Sequence, residues 1–138
     1  MFITDVDYTV QARQEILSLL DDSIDNVAIR RSEQYAISEI RKRVGRRYDM
    51  DAVFNKTGEQ RDMYIVMITI DIAIYHLYSQ KAPRKIPEYR DVRYRDAIEW
   101  LNAVGSGTVS AELPMPSEEE YQGEVRIFSI HKPSDYKY

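Results

Sequence analysis

Few side chains in this sequence are spaced to do chemistry. Asp71 stands at the centre of "MYIVMITIDIAIYHLY", residues 63–78, a stretch otherwise free of charged side chains. A carboxylate there must be paired or hydrogen-bonded, because burying it alone is prohibitively costly. As a catalytic acid it would need a second acid or base, and none is visible. A structural buried carboxylate is therefore expected, anchored by Arg41, Arg43, Arg46 or Arg47, or by Tyr48. His76 and His131 have no acids or histidines at metal-ligand spacing, and HExxH is absent. His76 reads as a core or subunit-contact residue. "GSG" at 105–107 follows a helical pattern and lacks the GxxxxGK[ST] spacing, so it reads as a cap and turn rather than a phosphate loop. No GxSxG nucleophile elbow occurs. The chain has no cysteine, which excludes disulfides, thiolate metal sites and cysteine nucleophiles. Glu118, Glu119 and Glu120 read as a solvated acidic run. No catalytic residue, metal or cofactor is expected, and the protein is not expected to be an enzyme.

The electrostatic signal lies elsewhere. Seven basic residues fall between positions 30 and 47 (Arg30, Arg31, Arg41, Lys42, Arg43, Arg46 and Arg47) against Glu33 and Glu39. The net charge of -4 excludes a generally basic, DNA-coating chain but not a local patch. The plain reading is a solvated face with internal pairs; the sharper one is a surface facing phosphates or another subunit. Eleven tyrosines are many for 138 residues, and Tyr121, Tyr136 and Tyr138 fall in the C-terminal segment, where contact with a partner is the better use for them.

The elements that position these groups read as helices. Thr4 is a suitable N-cap, with Asp5 and Asp7 set against the helix dipole. Val10, Ile16, Leu17, Leu19 and Leu20 extend that first helix to about Asp21. A second helix is expected from about Ser23 to Val44, with a stripe of Ile24, Val27, Ala28, Tyr35, Ala36, Ile40 and Val44 and a stop at Gly45. Arg31 interrupts this stripe and needs a partner or an apolar surface for its stem. Residues 46–58 read as a loop. The third helix, about Glu59 to Gln80, is apolar nearly all round and so central; its length favours a helix over a strand, and Asp71 argues against a membrane span. "KAPRKIPEYRD" reads as a linker, and the fourth helix as Asp91 to about Val104, with Gly105 as its left-handed cap. Beyond Gly107 the chain becomes extended, then acidic and proline-broken. "EVRIFSIHK", residues 124–132, alternates like a strand with no partner of its own. The N-terminus carries acids where a signal peptide needs basic and apolar runs, so export by that route is not expected.

The fold class is thus mainly α: a bundle of four to five helices over residues 1–113 and an extended C-terminal arm, 114–138, containing a short β-strand. "RYDMDAVF", the central "IDIAIYHL" and "IPEYRDVRYRDAIEWLNAVGSGTVSAELP" together resemble the head–tail connector (adaptor, or head-completion) proteins of tailed bacteriophages, in particular the Mu-like prophage branch. The matching positions are Arg47 and Tyr48; Asp71, Ala73 and Tyr75; and Arg93, Tyr94, Asp96, Ala97 and Leu101, with Gly105 and Gly107 beyond. The resemblance spans roughly residues 1–114 and rests mainly on packing positions. It implies a structural protein of the virion neck, made in the host cytoplasm. Copies would form a ring, of about twelve, between the portal and the next neck or tail protein. DNA would pass through the lumen without sequence specificity, and no membrane would be involved. In that setting Arg41, Lys42, Arg43, Arg46 and Arg47 are the residues expected to face the DNA channel. Val125, Ile127, Phe128, Ile130 and Tyr136 are those expected to contact the portal or a neighbouring subunit, by strand addition. The alternative is a small helical DNA-binding or regulatory protein using the same basic cluster.

Overall fold

The computed structural model describes residues 1–13, 17 and 27–116. Five α-helices lie among them: α1 (Asp5–Gln11), α2 (Val27–Val44), α3 (Met50–Phe54), α4 (Met63–Lys81) and α5 (Glu88–Ser106), with 3-10 turns at Gly58–Gln60 and Pro83–Lys85. None of the described residues is in a strand, and no described helix is long and apolar enough to cross a membrane. The strand expected within 124–132 and the arm residues Val125, Ile127, Phe128, Ile130 and Tyr136 lie outside the described residues, as does the second helix's start at Ser23.

The bundle is organised around α4. Asp62 caps it, its carboxylate accepting the Tyr64 and Ile65 amides at 2.9 and 3.0 Å, so the helix begins later than the Glu59 expected from the sequence. It packs on both α2 and α5, and eleven of its 19 residues are buried. A helix covered on two sides needs no polar stripe, which is why its sequence shows none.

Local chemistry explains where the other elements depart from expectation. Thr4 does cap α1 in a reciprocal box with Asp7, but this helix ends at Gln11 and Ala12 is extended (φ -138°, ψ 151°), which breaks the expected continuous helix; its expected end near Asp21 lies outside the described residues. Val10 is 84% exposed; the buried side of α1 is Tyr8, with Phe2 and Ile3 before it. The buried stripe of α2 is Ile29, Ser32, Glu33, Ala36, Ile40 and Val44, turned away from the expected Val27 and Tyr35, both exposed. The rotation follows from size and charge: Ser32 and Ala36 allow close approach, and Glu33 has buried partners described below. Arg31, expected to need cover, is exposed. Within the expected loop 46–58, Asp49 caps α3 and Met50, Val53 and Phe54 enter the core. The "linker" contributes a 3-10 turn and then the first turn of α5, whose N-cap is Pro87 rather than Asp91.

The two glycines divide the work assigned to one of them. Gly105 lies inside α5, where a Cβ would come within 2.1 Å of the Arg43 carbonyl oxygen on α2. Gly107 is the left-handed cap, at φ 88°. The chain then folds back along the body: the Val109 amide donates to Ala103 O (3.1 Å), the Ala111 amide to Tyr48 Oη (3.0 Å), and the Asp49 amide to Pro114 O (2.7 Å). Residues 108–114 are therefore docked on the body.

Helix propensity alone would make Gly105→Ala stabilising by about 1 kcal/mol, but the clash is with backbone that cannot rotate away. We expect a net loss of about 1–3 kcal/mol from overpacking of α5 on α2. For Gly107→Ala the nearest atom is the tip of Arg47, which can move, so only the backbone strain of about 1–2 kcal/mol remains. Urea denaturation of the two variants tests the order; a stabilised Gly105→Ala would show that the helices do not meet this closely.

Candidate functional site

Asp71 is the most heavily partnered buried group. Its Oδ1 accepts from Gln11 Nε2 at 2.7 Å, Arg93 Nε at 2.8 Å and Arg90 Nη1 at 3.3 Å. Arg90 is as buried as Asp71, each only 3% exposed, whereas the Arg93 side chain is 41% exposed. The arginines come from the first and second turns of α5, not from the end of α2 as the sequence reading expected, because α4 buries Asp71 on the side that meets α5. Arg90 and Arg93 lie three apart in "RDVRYRD", which puts both on one helix face; that spacing was the available signal. The arrangement fixes α1, α4 and α5 to one another and leaves the carboxylate committed to donors already in place.

A second carboxylate joins α2 to the same pair of helices. Glu39 accepts from His76 Nε2 (3.0 Å), Tyr94 Oη (3.0 Å) and Arg43 Nη2 (3.3 Å). Above it the Tyr75 and Tyr94 rings stack at 4.0 Å, and His76 meets both rings and Tyr35 edge-on. Burial raises the Glu39 pKa, but the three donors outweigh it and hold the carboxyl below its ordinary value. Burial, and then the Glu39 hydrogen bond and charge, push Tyr94 up to about 12. His76 is thus a half-buried joint residue. Glu33 differs: Tyr8 Oη and Arg30 Nη1 each donate to it at 2.7 Å, yet burial dominates and its pKa is raised. At the N-terminus Arg61 grips Asp7 with two bonds (2.6 and 3.1 Å) and also donates to Phe2 O.

The expected DNA-facing residues divide into two groups. Arg41 and Arg46 line one groove of about 410 Å³ with Gly45, Tyr48, Asp49, Met50, Asp51 and Pro116. Arg41 pairs with Asp51 and lies over the Phe54 ring, and Lys42, next along the helix, is exposed. Arg43 and Arg47 instead serve the joint with α5: Arg43 Nη1 donates to Asn102 Oδ1 at 2.7 Å, and Arg47 covers Gly107. Arg47 also lies 5.9 Å from the Tyr48 ring. Among the described residues, no group of three or more His, Cys, Asp or Glu side chains could hold a metal ion.

Removing the Asp71 carboxylate leaves a buried guanidinium uncompensated. Asp71→Ala should cost about 3 kcal/mol, and Asp71→Leu combined with Arg90→Met should recover much of that loss; chemical denaturation of both variants decides it. The pH dependence separates the other two acids. The Glu39 pKa is lower folded than unfolded, so its contribution is complete above the ordinary value of 4.5 and fades as pH falls through the folded value. The Glu33 pKa is raised, so ionising it costs the fold stability as pH rises from 4.5 through the folded value. Glu39→Gln should flatten the acid limb of the Tm–pH curve, and Glu33→Gln should remove a decline on the other side. Identical curves for both variants would contradict these assignments.

A search of curated proteins and a search of solved structures each found no match. The model of the family described as "Bacteriophage Mu, Gp36" matches residues 7–129, nearly the whole chain. On that match this helical bundle, pinned through Asp71 and Glu39, belongs to the Gp36 family and is a Mu-like phage protein.

Proposed function

We propose that the protein is a non-catalytic structural component of the virion neck, forming a ring between the portal and the tail through which DNA passes. The observation that carries this reading is the family match across residues 7–129. The character of the buried and half-buried carboxylates supports it: Asp71, Glu39, Glu33 and Asp7 all tie one segment of the body to another, as a load-transmitting part requires. Arg41, Lys42 and Arg46 are the part of the basic cluster that faces the DNA channel, while Arg43 and Arg47 hold the body together. Val125, Ile127, Phe128, Ile130 and Tyr136 supply the arm that reaches the portal or an adjacent subunit, by adding a strand to it.

Light scattering on the purified chain, alone and with portal, tests the assembly. A discrete ring-sized species in either sample is expected; a tight dimer with strongly salt-dependent DNA affinity in both would replace this reading with a DNA-binding regulator. Deleting residues 117–138 should leave the cooperative unfolding of the body in place but abolish portal attachment. Reversing Arg41, Lys42 and Arg46 to Glu should impair DNA retention in assembled particles without unfolding the protein. An assembled ring with all three on its outer wall would exclude the channel role.

A further inference from the structure

The tertiary structure brings the chain that leads into the most acidic run of the sequence, as far as Pro116, to the groove beside its most basic run. Residues 41–47 hold five cations, Arg41, Lys42, Arg43, Arg46 and Arg47, and residues 118–120 are three consecutive glutamates. The chain leaving α5 does not wander between them. It is fastened at Val109, Ala111 and Pro114, with Ala111 and Leu113 packed against the core. Its last described residue, Pro116, forms part of the wall of the groove that Arg41 and Arg46 line. Glu118 follows two residues later and Glu120 four, a reach of about 7–14 Å at full extension. Two acids already line the groove. Asp49 caps α3, accepting the Ala52 amide at 3.1 Å, and Asp51 pairs with Arg41.

From this juxtaposition we infer that the acidic segment 117–121 of the same chain docks on the groove, its glutamates meeting the basic surface of Arg46, Lys42 and the outer side of Arg41. The tether is short, so the effective concentration of the segment at the groove is high and a modest set of half-exposed ion pairs is enough to hold it. Docking fixes the root of the arm and leaves residues 124–132 beyond it for a partner. It also covers, with a carboxylate run, the surface that the proposed function offers to DNA. The segment and a phosphate backbone then compete for the same cations. Only this last consequence rests on the DNA-channel reading.

Carbodiimide treatment of the full-length protein, made from a mixture of heavy- and light-isotope chains, tests the contact. Zero-length coupling of the Lys42 amine to Glu118, Glu119 or Glu120 within one chain is expected. It should vanish in the variant Glu118→Gln, Glu119→Gln, Glu120→Gln, whose Gly45, Tyr48 and Met50 amide resonances should shift. Coupling only between heavy and light chains would overturn the inference in favour of a neighbouring copy. No coupling, together with unmoved amides in the triple variant, would overturn it outright. The triple variant should also bind a short DNA duplex several-fold more tightly at low salt. Unchanged DNA affinity alongside intact coupling in the native chain would leave the docking in place and count against the DNA-facing role alone.

Discussion

Everything in this bundle accommodates a central helix that is buried on more than one side yet carries a carboxylate at its midpoint. An apolar helix can be covered by almost any pair of amphipathic neighbours. Asp71 cannot, because an isolated ion in that environment would cost more than the packing returns. The neighbour on that side must bring cations at the right height, and α5 does so with Arg90 and Arg93 while α1 adds Gln11. The ion cluster thereby selects which helix lies against which face of α4, and at what longitudinal offset. Such a cluster is a device for uniqueness more than for net stability, since a well-packed apolar replacement of both partners would hold the helices about as firmly.

The other carboxylates repeat this logic at the margins. Glu39 gathers donors from α2, α4 and α5, so the bundle is cross-linked near one end. Glu33 and Tyr8 join α2 to α1, and Asp7 with Arg61 joins α1 to the turn before α4. Their opposed pKa shifts follow from the count and strength of donors set against burial. Directional contacts of this kind resist sliding of one helix along another, a resistance that apolar contacts alone supply poorly.

The end of α2 shows how one run of like charge can serve two purposes. Gly105 lets α5 approach the α2 backbone, and Arg43 and Arg47 close that joint through Asn102 and Gly107. Arg41 and Arg46 are left lining the groove, beside Pro116. The chain's own exit from the body is therefore placed next to its most basic surface, which links the arm and the groove physically.

The sequence by itself determined the helical class, the centrality of the 63–81 segment, the Thr4 cap and the need for a partner to Asp71, because each depends on local pattern or on the cost of burying a charge. It also carried the Mu-like resemblance, through the motifs around Tyr48, Asp71 and Tyr94, and the family match over residues 7–129 agrees with it. Only the tertiary structure decided which cations answer Asp71: several arginines were available, and the choice depends on how α4 and α5 are rotated about their axes. The same is true of the buried face of α2, where Glu33 and Ser32 displaced Val27 and Tyr35. The left-handed cap went to Gly107 because close helix approach had already claimed Gly105, a contact between residues 62 positions apart that no local pattern encodes. Local rules fix what each segment can be; the rotation and depth of each helix are settled only when all the partners meet.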